Sequence, residues 1–305
     1  MSSLHTSVML AEVLEFLKAS QGGLFLDCTF GGGGHTKAIL EASAESKVVA
    51  LDQDIRAIER AEILKEKFQE RLSLHHTQFS DFDKFIDQQI LFDGIIADLG
   101  TSSDQLAEGR GFSFSDQESL DMRMNEQAEI TANFLVNTLS EKELFTLLKK
   151  GGVGKEARPA SRAIVQNRPF DNASQLAEVI KRAVERYEGG KKRNPATLVF
   201  QAIRIAVNQE FDEIDELLKK VPKHVKPGAR LVVISFHSLE DRLVARAMRK
   251  WQGEFAPALW GGMQEVKTLG KLLTSKAVKP GEEEIDKNRR SRSAMLRAFE
   301  FLGCG

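Results

Sequence analysis

Three aspartates close apolar runs in the first hundred residues: Asp27 after "GLFL", Asp52 after "KVVAL" and Asp98 after "FDGIIA". Each run reads as a buried strand, so each carboxylate arrives where a strand hands over to its loop. Behind Asp27 come Cys28, Thr29 and Phe30, then four consecutive glycines, Gly31 to Gly34, and then His35. Four adjacent glycines cost more backbone entropy on folding than any ordinary quartet, and a simple strand-to-helix turn seldom needs more than two. The pattern fits a nucleotide-type ligand laid on bare backbone at the carboxyl ends of a parallel sheet.

Three kinds of loop use such glycines. A Walker loop needs Gly, four spacers and Gly-Lys-Ser/Thr; here the order is Gly34-His35-Thr36-Lys37 and the upstream position is Thr29, so that reading fails. A dinucleotide loop needs Gly-x-Gly-x-x-Gly/Ala; Gly31 and Gly33 fit, but Thr36 takes the third place. An S-adenosylmethionine loop needs no strong anion nest, because that ligand has no phosphate. It needs close backbone for the methionine part, which Asp27 and the glycines supply, and a carboxylate for the ribose hydroxyls, which Asp52 supplies. The glycines alone do not choose among ligands.

Other segments carry chemistry of less specific kinds. Asp98, at the fourth strand end, reaches the same rim. "GTSSD" has Asp104 where a nucleophile elbow requires Gly, which argues against a serine hydrolase. "SFHSLED", Ser235 to Asp241, reads as a helix N-capped by Ser238 with His237 on the rim, since catalytic triads are assembled from separate loops. The six histidines form no His-x-x-x-His pair and there is no Cys-x-x-Cys, so no metal is expected. "RGFSFSDQESLDMRM", Arg110 to Met124, is either a loop pinned by Phe112 and Phe114 or a stacking platform for an unpaired base. Basic runs at Lys191–Asn194 and Lys287–Ser293 offer a surface for phosphate.

The elements that must position these residues follow from periodicity. Strand-like runs alternate with helical segments through residue 98, which implies βαβ units and a parallel sheet. From about Gly109 to Val221 the signal is helical. Ser140 and Glu143 make a capping box before a helix that Gly151 and Gly152 stop. Leu176, Val179, Ile180, Ala183, Val184 and Tyr187 line one helical face. Asn194-Pro195 launches one long helix from about Ala196 to Lys220. Strand signal returns with "GARLVVISF" and "AMLRAFEFL". The expected organisation is an α/β core over residues 1–109 and 216–305, split by an all-helical subdomain at 110–215.

Composition bounds the rest. The chain has 305 residues, 42% hydrophobic and 29% charged, as a globular protein has. Its net charge of -1 argues against a uniformly basic nucleic-acid coat. Two cysteines suit a reducing cytoplasm, no apolar run is long enough to cross a bilayer, and the N-terminus lacks the basic flank of a signal peptide.

Eight segments taken in order resemble one family. They are "HTSVML", "DCTFGGGGHT", "ALDQD", "ADLGTSSDQL", "RGFSFSDQESLDMRM", "NPATLVFQAIRIAVNQE", "LVVISFHSLEDR" and "NRRSRSAMLR". The chain resembles, nearly end to end, the RsmH/MraW family of bacterial methyltransferases, which modify the exocyclic N4 amine of a cytidine in 16S ribosomal RNA near the decoding centre. The resemblance implies a class I Rossmann-like methyltransferase sheet with a helical substrate-recognition insertion. It implies S-adenosylmethionine as cofactor, contacted by Gly33, Gly34, His35, Asp52, Phe79, Asp98 and Gln105. It implies 16S rRNA, in the assembled small subunit, as partner. Asp98 is the expected proton acceptor, and Arg110, Phe112, Phe114, Asp121, Arg123, Asn194, His237, Ser238, Arg290 and Arg292 are the expected RNA-contacting residues. Departures fall in the RNA half: Asp104 replaces the family's Pro, Asn194 its His, and Gly152-Val153-Gly154 its Gly-Glu-Glu. The alternatives are a methyltransferase of this fold with another substrate and a non-catalytic rRNA-binding assembly factor. Oligomeric state stays open, a homodimer among the options.

Overall fold

Strands with apolar side chains at every position must be covered on both faces. In β1 (Gly23–Asp27), β2 (Ser46–Asp52), β4 (Phe92–Asp98) and β5 (Val225–Ser235) the faces alternate with period two. Leu26, Val49, Leu51, Ile95, Ala97, Leu231 and Val233 enter one core. Phe25, Val48, Ala50, Ile96, Val232 and Ile234 enter the other. The computed structural model describes residues 7–87, 89–102, 105, 109–184, 196–253, 256–257, 263–264 and 268–302.

With β3 (Leu72–His76), β8 (Gly270–Leu272) and β9 (Met295–Phe301) these strands make a seven-stranded sheet of order β3-β2-β1-β4-β5-β9-β8. The first five strands run parallel, and β9 is antiparallel to both β5 and β8. A separate two-stranded ribbon pairs β6 (Ala256–Pro257) with β7 (Met263–Gln264). This is the Rossmann-like sheet of class I methyltransferases, as the resemblance implied. Strand order reverses between β1 and β4, and such a reversal opens a crevice at the strand carboxyl ends. Asp27, Asp52 and Asp98 are the last residues of β1, β2 and β4.

Helices α1 (Leu10–Leu17), α2 (Gly34–Ala42) and α3 (Ile55–Arg60) cover one face through Val13, Leu17, Ile39, Leu40 and Ala57. The charged segment after Asp54 forms two helices. Helix α4 (Glu62–Phe68) follows α3 after a tightened turn at Ala61, whose N–H bonds back to the Ile58 carbonyl three residues earlier.

The chain divides into two compact units, Met1–Gly100 with Asp212–Gly305, and Thr101–Phe211. The second unit is helical: α5 (Ala132–Thr138), α6 (Glu141–Lys150), α7 (Ala157–Gln166), α8 (Ala173–Val184) and α9 (Ala196–Val207). Its core joins Leu135, Leu144, Leu148, Ile164, Leu176, Ile180, Val199 and Ile203. Ser140 and Glu143 form the expected capping box on α6.

The expected long helix from Ala196 to Lys220 is broken into α9 and α10 (Glu210–Lys220). Gln209 sits at φ +51°, outside helical space. The Asn208 side chain takes over the hydrogen bonding. Its Oδ1 accepts from Met124 N–H at 2.7 Å, and its Nδ2 donates to the Met122 and Arg204 carbonyls at 2.8 and 2.9 Å. In the first unit α10 contributes Ile214, Leu217 and Leu218 to the core on the sheet's other face. Helix α11 (Ser238–Gln252) contributes Val244, Met248 and Trp251 there, and α12 (Glu282–Lys287) is a short helix before β9. Among the described residues no helix is long and apolar enough to cross a membrane.

Candidate active site

Asp27 is wholly buried and staples the glycine loop to the sheet. Its Oδ1 accepts from the Thr29 N–H at 3.0 Å, and its Oδ2 accepts from the Thr36 hydroxyl at 2.6 Å. Burial pushes its carboxyl above the ordinary range, and the Thr36 bond only partly offsets that. Both ends of the loop are thereby tied to one carboxylate.

The glycines do two jobs between those ties. Gly33 has φ +74° in the N-cap place of α2, where a Cβ would lie 2.6 Å from Phe30 and Leu64. Gly31, at φ +53°, and Gly32 face open space, since a Cβ on Gly32 would meet nothing within 4 Å. Gly33 is there for packing, and the Gly31-Gly32 backbone is left accessible.

Asp52 grips the same loop from β2. Its Oδ2 accepts the Gly31 N–H at 2.7 Å and its Oδ1 accepts the Asp54 N–H at 2.8 Å. Burial nevertheless pushes Asp52 up to about 6, and the Asp54 and Asp27 charges add to the rise. Asp54 caps α3 by accepting the Arg56 N–H.

Asp98 completes the rim. Its backbone N–H donates to the Thr29 hydroxyl at 2.7 Å, which locks the β4 end to the glycine loop. Its side chain is 24% exposed, yet Oδ1 is enclosed and has no hydrogen-bond partner. Its Oδ2 lies 3.8 Å from Nδ1 of His35. Burial raises Asp98 to about 6; His35 lowers it, and Asp27 and Glu240 raise it. His35 is itself buried, with Nε2 3.0 Å from the Val8 carbonyl.

The turn after β5 lies beside the turn after β4. Leu99 N–H bonds to the Ile234 carbonyl, and the Phe236 ring packs against Gly100, which holds φ +109°. The N-cap of α11 is His237 and not Ser238: His237 Nδ1 accepts the Glu240 N–H, and Glu240 Oε2 accepts the Phe236 and His237 N–H groups at 2.8 and 3.2 Å. Ser238 is an exposed first-turn residue. Glu240 is fully buried, with Oε1 3.0 Å from His237 Nε2. Sequence reading passed over Glu240, although a Glu three residues after the cap is the capping-box signature.

The remaining expected residues spread further. Phe79, half-buried, opens a short 3-10 turn after β3, pinned where Ser80 donates N–H and hydroxyl to Glu213 at 3.2 and 2.9 Å. Gln105 belongs to the helical unit, where its Oε1 accepts the Ser102 N–H at 3.1 Å and its N–H donates to the Ser102 hydroxyl at 3.2 Å.

In the Arg110–Met124 loop, Phe112 is buried in the helical core under the Arg110 guanidinium, while Phe114 is 37% exposed and meets Phe200 edge-on at 5.4 Å. Arg123 is committed to the loop itself. It pairs bidentately with Asp121 at 2.7 Å and donates to the Glu126 and Ala128 carbonyls. Arg290 and Arg292 are exposed on a 3-10 turn over Arg289–Ser293. Asn194, its basic run, Tyr187, Gly189, Gly190 and Asp104 lie outside the described residues. Val153, where the resemblance led us to expect an acid, is buried in the helical core.

The strand ends thus gather Asp27, Asp52, Asp98, His35, His237 and Glu240 in one unit, around a loop with exposed backbone. Such an arrangement can receive hydroxyls, and it can hold or take up a proton.

Comparison with known proteins agrees with this reading. Residues 2–302 match the model of the MraW methylase family. Ribosomal RNA small subunit methyltransferase H of Trichodesmium erythraeum is 41% identical over 300 residues, covering 98% of this chain and 99% of that protein. The protein of the same name from Kosmotoga olearia is 43% identical over 306 residues, covering 98% and 97%. The solved structure of an rRNA methylase from Streptococcus thermophilus superposes with a TM-score of 0.42 at 10% identity, covering 98% of this chain and 99% of that one. This chain belongs to the MraW methylase family, whose methyl donor is S-adenosylmethionine.

Proposed function

We propose that this chain methylates the exocyclic N4 amine of one cytidine in 16S ribosomal RNA near the decoding centre, acting in the cytoplasm on the assembled small subunit. The observation that carries the proposal is the Asp98 carboxyl, 24% exposed at the rim of a glycine loop and raised by burial to about 6, in a chain that matches its family over residues 2–302. A carboxyl with so few donors of its own is stabilised by a ligand that donates to its accessible oxygen.

The residues fit the donor. Gly31 and Gly32 expose backbone, Gly33, Gly34 and His35 begin a helix that no side chain caps, and Asp52 offers a carboxylate for ribose hydroxyls. Phe79 and Gln105 are the remaining proposed donor contacts, carried over from the family motif. When bound, S-adenosylmethionine supplies a methyl group activated on a sulfonium.

The protein's part is to present the acceptor. A cytosine amine is a poor nucleophile because its lone pair is delocalised into the ring. The accessible oxygen of the Asp98 carboxyl, Oδ2, accepts a hydrogen bond from that amine, holds it in line, and takes a proton as the nitrogen gains its carbon. The target cytosine must leave its helix to be modified, and Phe114 in the helical unit offers an exposed ring edge for an unpaired base. Arg290 and Arg292 meet phosphate, and His237 lines the base side of the rim. Phe112, Arg110, Asp121 and Arg123 shape the loop that carries Phe114.

The proposal is tested with labelled donor and either small subunits or protein-free 16S RNA from a strain lacking this gene, followed by nucleoside mass spectrometry. N4-methylcytidine formed only with the protein, and faster on subunits, is the expected result. Donor binding with no methylated cytidine would refute the target.

A further inference from the structure

We propose that His35 and Asp98 form a dyad in which His35 Nδ1 is the final resting place of the proton that Asp98 takes from the amine. The inference rests on the function proposed above and adds a role for His35 beyond donor binding.

The tautomer of His35 follows from its neighbours. The Val8 carbonyl can only accept, so the ring nitrogen 3.0 Å away, Nε2, must carry a hydrogen. Neutral His35 is therefore bare at Nδ1, and that nitrogen points to Asp98 Oδ2 at 3.8 Å. A bare nitrogen facing an ionised oxygen inside the protein is two lone pairs in opposition. The pair relaxes only when it holds one proton.

Asp98 is built to receive that proton from elsewhere. Its two oxygens face different partners: Oδ2 faces His35, while the enclosed Oδ1 has none. As the amine nitrogen forms its bond to carbon and the donor's carbon–sulfur bond breaks, one N–H proton becomes acidic. It moves to Asp98 Oδ2, since the enclosed Oδ1 is out of reach of a base. Oδ2 lies 3.8 Å from Nδ1 and passes the proton there, leaving an imidazolium and a regenerated carboxylate. The charges facing the pair suit that end state. Asp27 acts on both His35 and Asp98, and Glu240 acts on Asp98 from α11.

The lock on Nε2 is itself anchored. Met9, next to Val8, donates its N–H to Glu284 Oε1 at 2.8 Å, which fixes the segment that presents the Val8 carbonyl.

His35→Gln separates the two functions of the ring. The glutamine amide can still donate to Val8, but it has nothing equivalent at Nδ1. With donor at saturation we expect single-turnover transfer about 100-fold slower and the acidic limb of the pH–rate profile moved to higher pH, since His35 no longer lowers Asp98. Transfer at the wild-type rate with an unchanged profile would overturn the dyad.

A second readout needs no turnover. In protein labelled with 15N-histidine, neutral His35 should show the Nε2–H tautomer, and its Nδ1 resonance should move in Asp98→Asn. The Nδ1–H tautomer, or an Nδ1 resonance indifferent to Asp98, would overturn the dyad. If wild-type protein made no N4-methylcytidine, the functional reading would fall and these resonances would still decide the pairing.

Discussion

Two regions of this protein are rich in charge and treat it in opposite ways. In the Arg110–Met124 loop opposite charges are set against each other to hold the loop's shape. Asp121 and Arg123 pair bidentately, and Arg110 reaches Glu126 and the Arg123 carbonyl at 3.2 Å. At the strand ends Asp27 is buried and Asp52 and Asp98 are partly buried, all three with their carboxyls raised. Asp27 and Asp52 accept hydrogen bonds on both oxygens, whereas Asp98 Oδ1 accepts none. Matched charge holds a shape. A carboxylate left short of donors lowers stability, and a protein keeps it where a ligand completes the site.

The sharpest way to break this contrast is at Asp98. Asp98→Asn should slow transfer about 100-fold or more in single-turnover assays, since a general base contributes on that scale. Transfer at the wild-type rate would remove the rim from the chemistry. Arg123→Ala should act on the opposite region and in the opposite sense. It should lower unfolding free energy by about 1–3 kcal/mol in denaturant titrations, because Asp121 and two carbonyls lose their donors. Phe114→Ala should lower stability by about 0.5–1.5 kcal/mol, the scale of the edge-on pair with Phe200 that it removes. It should weaken RNA binding by about 1–3 kcal/mol, the scale of one base stacked on an aromatic ring. The smallest effect is expected at Arg290 and Arg292. Replacing both with Ala should reduce the slope of log affinity against log salt by about 1.4 to 1.8, as for two lost phosphate contacts.

Much of this was legible in the chain, and the misses share a cause. Strands were legible because β1, β2 and β4 end apolar runs in an acid and β5 carries the apolar run Leu231–Ile234. The cap at Ser140 uses local residue chemistry. The break at Asn208-Gln209 was not legible, because the residues that replace the helix bonds, Met122 and Met124, lie more than eighty positions away. Phe112 and Phe114 read alike in sequence, and only the fold sends one into the core and leaves the other 37% exposed. His237 displaced Ser238 as cap because Glu240 turns back to the His237 and Phe236 amides, a geometry set by the β5 end. The enclosed, unpartnered Oδ1 of Asp98 is invisible to any pattern. It is a property of what does not reach it.

The claim that the rim holds unpaired charge at a cost is tested most directly by the stability of Asp98→Asn against pH. Burial raises Asp98 from an ordinary 3.8 to about 6 in the fold. Between those values the folded protein binds more protons than the unfolded chain. The group's stabilising contribution is therefore full below about 4 and is lost as pH rises through 6. Asn carries no charge to bury. The donor-free variant should exceed wild type in unfolding free energy by about 1–3 kcal/mol at pH 7.5, with the gain falling below about 1 kcal/mol near pH 4. A variant no more stable than wild type at pH 7.5, or a gain that does not change with pH, would contradict the account.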